Sequence, residues 1–104
     1  MKCAGRISDF EGRGDLYEVE SAVVTETKLS VDWQESGETG HLHATSSDGV
    51  NYGGNYGYPR SDPLRIASLK RYDSKNGEIL FIGTWHNKNY GQEGTWFFTL
   101  KPTD

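Results

Sequence analysis

Along most of this chain apolar and polar residues take alternate positions. Between Lys28 and Gln34 the alternation is unbroken, with Leu29, Val31 and Trp33 on one side and Ser30, Asp32 and Gln34 on the other. A half-buried β-strand requires this repeat, because successive side chains of an extended backbone point to opposite faces. Residues 17–23 repeat it, which predicts Tyr17, Val19 and Val23 inward and Glu18 and Glu20 outward. No stretch carries the period of an amphipathic helix. Between Leu64 and Leu69 the parity slips, since Leu64 and Ile66 are even and Ala67 and Leu69 odd; a β-bulge near Ala67-Ser68 is the expected cause.

Turn residues cut the alternating runs. The breaks fall at Gly12-Arg13-Gly14-Asp15, Glu26-Thr27-Lys28, Glu35-Ser36-Gly37-Glu38, Asp48-Gly49, Tyr58-Pro59-Arg60-Ser61-Asp62-Pro63, Asn76-Gly77 and residues 87–93. Asp-Gly and Asn-Gly supply the positive φ angles of two-residue hairpin turns, whereas the two prolines forbid ladder pairing and mark a longer connection. Eight strands are predicted, at 5–11, 15–25, 28–35, 39–47, 50–57, 64–73, 78–86 and 94–101. Short connections make each strand antiparallel to the next. The expected fold is therefore a single all-β domain over 1–104, an up-and-down meander that closes into a small β-barrel and removes both edges. A two-sheet β-sandwich is the alternative; it would bury the same alternation but leave edges to protect.

Composition changes this picture in one respect. Leu, Ile, Val and Phe number 20 of 104 residues, a low share, while Phe, Tyr and Trp number 13. The interior must be filled largely by rings, and a buried Trp or Tyr needs a partner for its N–H or O–H. A net charge of −4 argues against a nucleic-acid footprint, which demands a concentrated basic surface. Arg60, Arg65, Lys70 and Arg71 are the basic cluster, read as a solvated strand face plus loop. The lone Cys3 cannot form an internal disulfide, no apolar run approaches a membrane span, and no apolar signal segment follows Met1-Lys2. A cytoplasmic protein without membrane contact is expected.

Function is less legible. Asn51-Tyr52-Gly53-Gly54-Asn55-Tyr56-Gly57-Tyr58 sets tyrosines among glycines, and Gly54 shares a face with Tyr52 and Tyr56. That gap serves either as a sharp barrel corner or as room for a flat ligand. Tyr17, Trp33, Tyr52, Tyr56, Trp85 and Trp96 are the candidates to line an aromatic cavity at one mouth, with Asn51, Asn55 and Asn87 orienting a ligand by hydrogen bonds. The C-terminal hairpin carries apolar groups on both faces: Ile79, Phe81 and Trp85 against Leu80 and Ile82, then Trp96, Phe98 and Leu100 against Phe97. The surplus suggests a homodimer contact. His41 and His43 point to one strand face and His86 lies far along the chain, so they read as surface residues rather than metal ligands. No nucleophile elbow or phosphate-cradling loop is present, and no cofactor is implied.

Gly83-Thr84-Trp85-His86-Asn87 resembles the Gly-x-Trp strand signature of calycin-type barrels, and more closely the Gly-Thr-Trp-x-Asn opening of avidin-like binders. The resemblance covers about a dozen residues of the chain. In those families the signature lies near the N-terminus, whereas here it begins the final hairpin. The likeness implies an up-and-down barrel with a small-molecule pocket, carried by Gly83, Trp85 and Asn87; the other polar biotin contacts have no counterparts here, so biotin is not implied. The expectation is a noncatalytic barrel holding a small cyclic or aromatic ligand. The alternatives are a carbohydrate-binding or lectin-like sandwich with its rings on an outer face, a protein-interaction module without a small ligand, and a small barrel enzyme with an ionisable group buried beside the cavity.

Overall fold

A computed structural model describes residues 1–9, 15–35, 37–58, 65–88 and 91–103, without the side chain of Asp15. The expected breaks at Gly12-Arg13-Gly14 and Pro59 to Pro63, the basic residue Arg60 and the apolar residue Leu64 lie outside the described residues. Among the described residues eight strands are present: β1 (Lys2–Asp9), β2 (Asp15–Val24), β3 (Lys28–Glu35), β4 (Glu38–Thr45), β5 (Asn51–Gly57), β6 (Arg65–Asp73), β7 (Ile79–Asn87) and β8 (Gln92–Pro102). Each pairs antiparallel with the next, and β1 pairs with β8, which closes the sheet into a barrel in chain order. No sheet edge remains, so the sandwich alternative does not hold. Among the described residues no helix is long and apolar enough to cross a membrane.

Inward positions follow the alternation. Cys3 and Ile7 of β1, Leu29, Val31 and Trp33 of β3, Leu42 and Ala44 of β4, Tyr52 and Tyr56 of β5, Ala67 and Leu69 of β6, Ile79 and Phe81 of β7, and Trp96, Phe98 and Leu100 of β8 are all buried. Their outward neighbours include Ser30, Asp32 and Gln34 on β3 and His41 and His43 on β4. His41 Nδ1 lies 2.6 Å from Asp32 Oδ1, and His43 Nδ1 3.0 Å from Ser30 Oγ, each pair spanning adjacent strands. On the C-terminal hairpin Ile82 is exposed and Phe97 half-buried, side by side on the outer face.

Two features of the predicted pattern are corrected. Val23 faces outward and is 43% exposed, while Ala22 and Val24 are buried. The cause is an extra residue in β2: the ladder to β3 shifts between Val19 and Ser21, and the ladder to β1 shifts over the same stretch. A bulge reverses which face each later side chain takes. β6, by contrast, keeps an unbroken register with both β5 and β7, so the expected bulge near Ala67-Ser68 is absent; Ile66 is simply an outward, half-buried residue.

Inward-facing glycines fix the curvature. At Gly54 on β5 an added Cβ would lie within van der Waals contact of the His43 carbonyl and 2.7 Å from Ala44 Cα. The backbones of β4 and β5 approach too closely there for any side chain, as at a corner of a strongly coiled sheet. Gly83 is pressed in the same way against Ser68 and Leu69. The glycine between the two tyrosines therefore serves the corner, and Tyr52 and Tyr56 are separated by backbone rather than by open space.

Candidate functional site

In an up-and-down barrel the ends of odd-numbered strands and the beginnings of even-numbered strands meet at one mouth. At the opposite mouth, where β2 turns into β3 and β4 into β5, the interior is plugged. Tyr52 donates its hydroxyl to the Thr25 carbonyl at 2.7 Å and meets Phe81 edge to face, with ring centroids 5.1 Å apart. At the first mouth the core opens into a cavity of about 200 Å³. Its walls are Tyr17, Trp33, Tyr56, Tyr58, Trp85 and Trp96, and Ile7, Asp9, Glu35, Arg65, Asn87 and Gln92 complete the lining.

Of the residues expected at the site, Tyr17, Trp33, Tyr56, Trp85, Trp96 and Asn87 are brought together here. The other three lie elsewhere. Tyr52 belongs to the plug at the far end. Asn51 closes the β4–β5 turn, its backbone N–H and Nδ2 both donating to Asp48 at 2.8 Å. These bonds, with a further one from the Val50 N–H, hold the Asp48 carboxyl well below the usual carboxylate range. Asn55 points outward and donates to the Arg65 carbonyl at 3.1 Å.

Asp9, Glu35, Tyr58, Arg65 and Gln92 were not foreseen at the mouth. Each continues the inward parity of its strand past the last apolar residue: Asp9 follows Cys3 and Ile7, Glu35 follows Val31 and Trp33, and Arg65 precedes Ala67 and Leu69. The signal was present in the alternation. Arg65 thus faces the cavity rather than a basic surface, with its Cζ 5.1 Å from the Tyr58 ring centroid and 5.8 Å from that of Tyr56. Such contacts hold a guanidinium over the negative faces of aromatic rings.

The walls are braced by edge-to-face contacts. Trp33 and Trp96 lie 5.9 Å apart and nearly perpendicular, Trp96 and Tyr56 5.1 Å apart, and Tyr56 and Trp85 6.3 Å apart. Each such pair contributes about 0.5–1.5 kcal/mol beyond the area it buries. Trp33 also packs over Gly40, where a Cβ would collide with the indole. Glu35 ties two rings together: its Oε1 accepts from Trp33 Nε1 at 3.2 Å and from the Tyr58 hydroxyl at 2.9 Å. Burial, reinforced by the adjacent Glu35 carboxylate, pushes the Tyr58 phenol far above its ordinary range. Burial raises Tyr56 as well, opposed in part by Arg65.

Four other groups are not so provided for. Tyr56 Oη, Trp85 Nε1, Trp96 Nε1 and Arg65 Nε are buried and make no hydrogen bond of normal geometry among the described residues, although the Arg65 guanidinium is near enough to the Tyr56 oxygen to stabilise its charge. Tyr56 and Trp96 are only 6% and 4% exposed, so solvent does not replace the missing partners freely. A buried donor left unpaired costs about 1–3 kcal/mol, and most native donors avoid that cost. All four belong to residues that line the same cavity. Chemically, the site offers flat apolar walls and, in the residues that form them, N–H and O–H groups without an acceptor among the described residues. Comparison with family models, with curated proteins and with solved structures finds no match to this chain.

Proposed function

We propose that this barrel is a noncatalytic receptor for a small cyclic or aromatic molecule, bound at the open mouth between the indoles and phenols. The observation that carries the reading is the coincidence of a ring-lined cavity with buried donors unpaired among the described residues. Size agrees with it. An apolar cavity of about 150 Å³ suffices for a benzene ring, so the cavity of about 200 Å³ suits a single ring with one small substituent. Pockets for drug-sized ligands measure about 300–1,000 Å³, so such ligands would not fit without rearrangement.

The carbohydrate-binding alternative needs rings on a continuous outer face, but Trp33, Trp85 and Trp96 all line the interior mouth. Acid–base catalysis would find ionisable groups beside the cavity. Yet Glu35 is engaged in holding Trp33 and Tyr58, and the Tyr58 phenol is kept protonated, which suits a rigid wall better than a proton relay. From the calycin-like segment, Trp85 and Asn87 enter this reading because they line the cavity.

Because the chain has three tryptophans and all three line the mouth, its entire indole emission reports on occupancy. Titration with a panel of single-ring compounds should produce a saturable change in tryptophan fluorescence for those that bind, together with a rise in thermal midpoint. Emission and midpoint both unmoved across the panel would overturn the proposal.

A further inference from the structure

The polar groups of the mouth are not evenly matched, and the mismatch restricts the ligand. Counted by type among the described residues, the lining holds two carboxyl side chains, Asp9 and Glu35, and one guanidinium, Arg65. An anionic ligand would meet two like charges in a site partly withdrawn from water, where such repulsion is poorly screened. A cationic amine would satisfy that charge balance but has only donors to offer. It would leave Tyr56 Oη, Trp85 Nε1, Trp96 Nε1 and Arg65 Nε unpaired, as they are now. A plain hydrocarbon ring would do the same. What remains is an uncharged ring bearing an oxygen acceptor.

We propose that the ligand is a neutral single-ring compound that presents a carbonyl-type oxygen, as an amide, lactam or ketone, to this donor set. The inference rests on the mouth being a ligand site and goes further, since it specifies the polarity and charge of the occupant. The ring lies between the indole and phenol walls, and the carbonyl oxygen has two lone pairs with which to accept from the donors nearest it. Specificity follows from what other ligands leave undone: a site that supplies several buried donors rejects a ligand that lacks the acceptor.

Four probes of similar size separate the terms: benzamide, benzoate, benzylamine and toluene, each titrated against the intact protein at neutral pH by tryptophan fluorescence. Benzamide should bind about tenfold or more tightly than each of the other three, because it alone is uncharged and carries an acceptor. Tyr56→Phe keeps the ring contacts and removes one donor; it should weaken benzamide by about three- to tenfold and leave toluene unchanged. Equal affinity for toluene and benzamide would overturn the acceptor inference while leaving the mouth as a ligand site. Tightest binding of benzoate would overturn the charge argument, and tightest binding of benzylamine the donor argument, again with the site intact. If none of the four binds, both the inference and the proposed function fall.

Discussion

Gly54→Ala is expected to lower the stability of the barrel by about 3 kcal/mol or more, whereas Gly53→Ala, one residue away, should change it by less than about 0.5 kcal/mol. The new methyl at Gly54 would press into the His43 carbonyl and lie 2.7 Å from Ala44 Cα, whereas a methyl at Gly53 meets nothing within 4 Å. A side chain can turn aside; these backbone atoms of β4 cannot, because their strand is held in register on both sides. The strands would have to separate at the corner and give up ladder hydrogen bonds. For a domain of about this length the loss corresponds to about 12 °C or more in thermal midpoint, and thermal unfolding followed by circular dichroism measures it. A mild effect at Gly54 would mean that the close approach of β4 and β5 is not what shapes this corner.

Phe81→Ala and Ile82→Ala form a second matched pair. Phe81 is fully buried in the plug, edge-on to Tyr52, and Ile82 on the opposite face is 41% exposed. Removing a buried phenylalanine ring costs about 3–5 kcal/mol, part of it transfer free energy and part the cavity left behind. A domain of this kind has about 5–15 kcal/mol in total, so Phe81→Ala should retain little margin at 37 °C. Ile82→Ala should cost no more than about 1 kcal/mol. Urea unfolding of the two variants reads the difference directly. Similar losses in both would show that the outer face of β7 is as buried as the inner one, contrary to the closed barrel with a single filled interior.

Much of this architecture is written locally in the chain. The alternation of Leu29, Val31 and Trp33, the Asp48-Gly49 and Asn76-Gly77 turns and the shortness of the connections are features of a few neighbouring residues, and they lead to the meander directly. The bulge in β2 is harder to read because it falls at Glu20-Ser21, between Val19 and Ala22, where no apolar residue marks which face is which. Only the change from Val19 to Ala22 and Val24 as buried positions records it. At β6 the opposite error arose. Outward-facing Ile66 looked like a break in parity, although isolated apolar residues on a wet face are ordinary.

The site was half legible for a related reason. Residue type picked out the rings, but position along the barrel axis decides which rings share a mouth. β5 runs from the plugged end to the open one, so Tyr52 at its beginning fills the plug and Tyr56 near its end lines the cavity. Glu35 reads as part of a turn and Arg65 as part of a solvated basic face, while nothing around Asp9 says that it is buried. Following inward parity to the last residue of each strand would have placed all three inside. No local pattern, however, reveals that Trp85 and Trp96 lack partners for their N–H groups among the described residues; that depends on the packing of strands brought together only by closure.

Those two indoles give the most direct test of the account. The three tryptophans contribute three indole N–H cross-peaks to a ¹H–¹⁵N spectrum, assignable with single Trp→Phe variants. Trp33 Nε1 already donates to Glu35, whereas Trp85 and Trp96 Nε1 have no partner among the described residues. On addition of benzamide, the Trp85 and Trp96 cross-peaks should move downfield together and saturably as they gain an acceptor, with Trp33 moving least. Trp85 and Trp96 cross-peaks that stay in place at saturating benzamide would contradict the claim that these buried donors await a ligand.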